Sequence, residues 1–132
     1  MKLIVCLDDK NGFSFAKRRQ SRDAVQLEKM LELVGDCKLF VNEYTAKLFD
    51  SCPQNVVVCE NPFQSADENS FCFAENIDIP TLDFEKIIIY RWNRHYPSDK
   101  KLPLELLNNK KLVSSTDFAG NSHEKITEEV YE

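Results

Sequence analysis

The run Lys86-Ile87-Ile88-Ile89-Tyr90-Arg91-Trp92 limits the fold of this chain more than any other stretch. Three isoleucines and a tyrosine in a row show neither helical period nor alternation, so they suit a strand covered by protein on both faces. Such a strand needs paired neighbours and a layer above and below it. The run turns basic and aromatic at Arg91 and continues through Asn93-Arg94-His95-Tyr96 to Pro97, which is expected to stop it.

A chain of 132 residues, 42% of them hydrophobic, supports one domain over residues 1–132 with a real core. No run approaches the roughly 18 apolar residues of a membrane helix. The N-terminal Leu3-Ile4-Val5-Cys6-Leu7 leads straight into acids, which suits a first strand and a cytoplasmic protein. The five cysteines are an odd number without a C-x-x-C pair. Cys6, Cys37, Cys59 and Cys72 adjoin apolar runs, so buried structural thiols are expected, not disulfides or a metal site. A net charge of −5 argues against a general nucleic-acid footprint.

The rest reads as alternating elements. Residues 2–8 form a strand, Asn11-Gly12 a turn and Phe13–Phe15 an extended piece. Ser21 is expected to cap a helix carrying Ala24, Leu27, Met30, Leu31 and Val34 on one side, with Asp23 in its first turn and Gly35 at its end. Strands follow at 37–41, 55–59 and 70–74, with a short helix capped by Asn42 and running through Asp50. Residues 61–69 read as a polar connection, 77–83 as loop and 98–110 as irregular. A strand at 111–115, a turn at 119–121 and a partly exposed strand at 124–131 close the chain. Together these predict a single three-layer α/β domain with one mixed sheet and an antiparallel C-terminal edge.

The ordered set Lys86–Arg91, Tyr96-Pro97, Lys111–Phe118 and Ile126–Glu132 resembles the C-terminal part of the dihydrofolate reductase-like fold. The front half, a strand, a turn at Lys10-Asn11-Gly12 and a helix, is similar to the same fold. The resemblance implies that Asp23 corresponds to the family's acid near the start of its first helix. It also implies NADPH held against a Gly-Gly pair after a strand, but Val41-Asn42-Glu43 and Phe73-Ala74-Glu75 supply no such pair. Over nearly its whole length the chain also resembles small bacterial proteins often labelled ribonuclease Z. That likeness rests on Arg18–Asp23, Tyr90–Arg94 and Ser122–Thr127. Ribonuclease Z enzymes bind two zinc ions through a His-rich motif, which His95 and His123 alone cannot build.

Two basic groups are candidate ligand sites. Arg18, Arg19 and Arg22 precede a helix N-terminus, a setting that suits a phosphate or carboxylate. Arg91, Arg94 and His95 flank the single tryptophan and suit an anionic ring. Against these stand plainer roles: a solvated basic segment, core aromatics, and arginines in strand-end salt bridges. Ser122-His123-Glu124-Lys125 reads as part of a hairpin, since neighbours in an extended piece point apart. Asp8 and Asp9 read as turn residues before a metal or a general base. The leading expectation is a non-catalytic module for an anionic small molecule or a protein partner. The alternatives are a divergent nicotinamide- or pterin-dependent reductase using Asp23, or an RNA-binding protein using the five arginines.

Overall fold

In the computed structural model, which describes residues 1–132, the isoleucine run forms strand β7 (Lys86–Arg91) inside a seven-stranded mixed sheet. Its companions are β1 (Lys2–Leu7), β4 (Leu39–Val41), β5 (Val56–Val58), β6 (Phe71–Phe73), β9 (Leu112–Phe118) and β10 (Ile126–Tyr131). They lie in the order β5-β4-β6-β1-β7-β10-β9. β1 runs parallel to both β6 and β7, whereas β10 is antiparallel to β7 and β9. The expected antiparallel C-terminal edge is therefore present.

The pleat sorts the apolar residues onto two faces. Ile88, Tyr90, Trp92 and Ile4 pack with Met30 and Val34 of helix α1 (Ala24–Val34). Ile87, Ile89, Leu3, Val5 and Leu7 pack with Phe13, Ile79, Phe84, Leu102 and Leu106 on the opposite side. That second cover is mostly loop and one 3-10 turn (Leu104–Leu107). All three isoleucines are at most 1% exposed, and burial of each stabilises the fold by about 2 kcal/mol.

The structure departs from the sequence expectation in several places. There are two sheets, because β2 (Gly12–Phe15), β3 (Arg18–Arg19) and β8 (Lys100–Lys101) form a separate three-stranded one. β8 and the 3-10 turn lie within 98–110, where no element was expected. Residues 61–69 contain a helical turn, α3 (Pro62–Ser65), capped when Asn61 Oδ1 accepts from Phe63 N. Helix α2 (Glu43–Ala46) has its Asn42 cap but ends well short of Asp50. β7 is ended by Asn93, not Pro97: Asn93 takes a left-handed φ of 58°. Its side chain then donates to Lys125 O and Thr127 Oγ1. Among the thiols, only Cys72 is fully buried, while Cys37 and Cys52 are exposed. Cys37 follows the Gly35 helix stop and precedes β4, so its side chain never reaches the core.

Candidate functional site

The start of α1 organises the site. Its cap is Asp23, whose Oδ1 accepts from Val25 N at 2.9 Å and Gln26 N at 3.2 Å. Ser21, the expected cap, lies two residues too early and is free for another partner. The same Asp23 carboxylate gathers the turn just before β10. Asn121 N donates to Oδ1 at 3.1 Å, and Ser122 N to Oδ2 at 2.8 Å. Gly120 permits this approach, since a Cβ there would collide with Asp23 Oδ2 and stand 2.9 Å from Ile126.

That turn carries His123 inward, to 4% exposure. Residues 121–124 are bent, not extended, so the alternation expected for this piece does not apply. His123 Nδ1 lies 3.1 Å from Asp23 Oδ2. Nε2 lies 3.1 Å from Ser21 Oγ and 3.0 Å from Tyr96 Oη. The ring stacks on Trp92 with centroids 4.5 Å apart and planes at 19°. Because a carboxylate only accepts, the network puts the imidazole proton on Nδ1 and leaves Nε2 to accept from the hydroxyls.

Burial alone would raise the Asp23 carboxyl. The amide of Ser122, then His123, Asn121 and Gln26, outweigh burial and hold it well below the usual carboxylate range. Asp23 is thus an ionised orienting group, fully hydrogen-bonded, and not a proton donor.

Beside this network opens a cleft of about 230 Å³. Cys6, Phe73 and Trp92 line it from the sheet; Ser21, Arg22 and Gln26 line it from the α1 side. Gln26 is 3% exposed, and its amide nitrogen has no hydrogen-bond partner. A buried donor left unpaired costs about 1–3 kcal/mol, so it marks where a ligand acceptor would be stabilising. Burial, followed by the charge of Glu75, pushes the Cys6 thiol well above its ordinary value, so it is no nucleophile here.

The six basic residues named from sequence do not form one site. Arg19 is bound bidentately by Glu75, at 2.8 and 3.0 Å, and stacks on Tyr44. Arg91 pairs with Glu129 at 2.9 Å and donates to Asn11 Oδ1. Arg91 makes the strand-end salt bridge of the plainer reading, whereas Arg19 is not part of a solvated segment and pairs with Glu75, not with the C-terminal strand; Trp92 and Tyr90 are core residues. Arg18 is exposed on β3 and lines a separate groove with Phe15, Tyr96 and Pro97. Arg22 sits at the rim of the cleft, exposed; beyond β7 Arg94 is exposed, and His95, also exposed, brings Nδ1 to 3.8 Å from Asp8 Oδ2.

Asp8 is a turn residue, as expected. Its buried carboxylate accepts from Lys10 N, Gly12 N, Gln20 Nε2 and Tyr96 N. Those bonds outweigh burial and lower its pKa.

Sequence reading named Asp23 but missed its link to His123, and missed Gln26 altogether. The two segments are 100 residues apart, and no local spacing encodes their meeting. The one local sign was Gly120 beside Asn121-Ser122, a turn that can bend a histidine inward. Compared with models of known protein families and with characterised proteins, the chain matches none.

Proposed function

We propose that this protein binds a small molecule in the cleft at the start of α1, as a divergent domain of the dihydrofolate reductase-like kind. The observation that carries the reading is the buried, unpaired Gln26 amide nitrogen beside a cleft lined by Phe73, Trp92, Leu27 and Leu48 together with the acids Asp23, Glu28, Asp50 and Glu75. Few buried polar groups in a folded domain lack partners, and those that do call for one. The chemistry that fits is a compact apolar body with a carbonyl-type acceptor for Gln26. Arg22 at the rim is the group that would meet an anionic end, which keeps the expected preference for acids within reach of this site. The strand order, with an antiparallel hairpin added beside β7, supports the fold part of the reading.

The other readings each meet an obstacle. NADPH would need close backbone approach after a strand, but after β6 stands Glu75, 7% exposed and clamped by Arg19. These residues do not fit the cofactor. For RNA binding, two of the five arginines are already held by carboxylates.

A thermal-shift screen of small carboxylic acids, esters, nucleotides, folates and sugar phosphates tests the proposal. A ligand that raises Tm for the wild type and has at least tenfold weaker affinity for Gln26→Leu is the expected result. A screen in which nothing shifts, or in which the substitution leaves affinity unchanged, would move the site elsewhere, with a protein partner next in line.

A further inference from the structure

We infer that Ser21, His123 and Asp23 form a nucleophile–base–orienter array that transfers acyl groups from small esters or thioesters bound in this cleft; the inference rests on the ligand reading above. Three observations converge. First, the hydrogen-bond chain is complete: Asp23 Oδ2 to His123 Nδ1 at 3.1 Å, and His123 Nε2 to Ser21 Oγ at 3.1 Å. A hydroxyl is a weak nucleophile until a positioned base takes its proton, and the base works only if its tautomer is fixed. Asp23 fixes it, and Trp92 stacking holds the ring plane. Second, Ser21 and Asp23 both line the cleft, but Asp23 is 4% exposed and its oxygens are taken by backbone amides and His123, so Ser21 is the group left to touch substrate. Third, Gln26 lines the same cleft and its buried amide nitrogen has no partner; turned toward the cleft, that side chain would supply an N–H for developing negative charge on a carbonyl oxygen.

In the reaction, Ser21 Oγ bonds to the carbonyl carbon while its proton passes to His123 Nε2. The carbonyl electron pair moves onto oxygen, toward the Gln26 amide. Collapse of that intermediate expels the alkoxide or thiolate, which takes the proton back from Nε2 and leaves an acyl group on Ser21. Water then gives a proton to Nε2 as it attacks the acyl carbon, and Ser21 leaves with that proton. The products are an acid and an alcohol or thiol. Tyr96 Oη, 3.0 Å from the same nitrogen, competes with Ser21 for the lone pair. Tyr96 therefore restrains the array, and its hydroxyl is a positioning element.

The test uses the whole protein with two probes, a fluorophosphonate and p-nitrophenyl acetate. The expected result is a single phosphonyl adduct that peptide mapping places on Ser21 and that is absent in Ser21→Ala. Ester turnover by Ser21→Ala and His123→Gln is expected to fall about a thousandfold. Tyr96→Phe, which keeps the Asp23–His123 pair, is expected to label faster than wild type by severalfold. Circular dichroism checks folding, and Ser21→Ala and Tyr96→Phe decide the matter if His123→Gln fails to fold. No adduct on Ser21 in the folded protein, or wild-type turnover by Ser21→Ala, overturns the inference and makes the array a purely structural clamp. If ligands bind through Gln26 while Ser21 stays unlabelled, the inference fails and the binding proposal stands. If labelling succeeds while no ligand depends on Gln26, the binding reading fails in its own right.

Discussion

Single residues set the geometry at the start of α1. Gly120 is there because Asp23 leaves no room for a methyl group, not because its backbone needs freedom. Gly120→Ala is expected to cost about 2 kcal/mol in urea unfolding, the usual scale for overpacking a tight site. The ring resonances of His123 should shift with it, which a remote loop substitution would not cause. Thiol reactivity reports burial in the same local way. Native protein treated with an aromatic disulfide reagent should show two fast thiols, Cys37 and Cys52, since both are exposed. Cys72, pushed up to about 12 by burial, should react only on unfolding.

At the scale of elements, an interior strand and an edge strand make opposite demands on the same kind of residue. Ile88 in β7 is covered on its face by α1, so Ile88→Ala is expected to lose about 3–4 kcal/mol. Leu112 in edge strand β9 is 49% exposed, and Leu112→Ala should change stability by less than about 0.5 kcal/mol. Equilibrium urea curves compare them directly. β7 was legible in the sequence because its burial is written in four successive residues. α1 was legible from its period, and Asn42 from its position before a helical turn. The small sheet was not legible. β3 and β8 are two residues each and exist through pairing with β2, which sequence does not display. Nor was the choice between Ser21 and Asp23 as cap. Both suit the role locally, and what decided it was the arrival of residues 121–123 on Asp23 and of His123 on Ser21.

For the molecule as a whole, acid should be the most damaging change of solvent. Asp8 and Asp23 both titrate below their unfolded value of about 3.9. The unfolded chain therefore binds protons more readily than the folded one over that range. Their stabilisation is complete above about pH 5 and is lost as pH falls through the lowered folded values. The urea midpoint should be flat from pH 7 to 5 and drop steeply below pH 4. Asp23→Asn should make the drop shallower, since it removes the more strongly shifted of the two groups. A drop of undiminished steepness would mean that Asp23 does not couple folding to protons.

The pairing of Asp23 with the turn before β10 also bears on how the chain reaches its native state. Synthesis delivers α1 about a hundred residues before the groups that complete its N-terminal end. β10, which sits between β7 and β9, follows both of them along the chain. Until then β7 has one bare edge and its aromatic end lacks the imidazole that covers Trp92. Closing a loop of about a hundred residues is slow compared with forming a helix turn. Folding should thus be gated by the C-terminal segment, in a single late and cooperative step. Between the emergence of β7 and that of β10 the nascent chain would hold its most hydrophobic strand half-open.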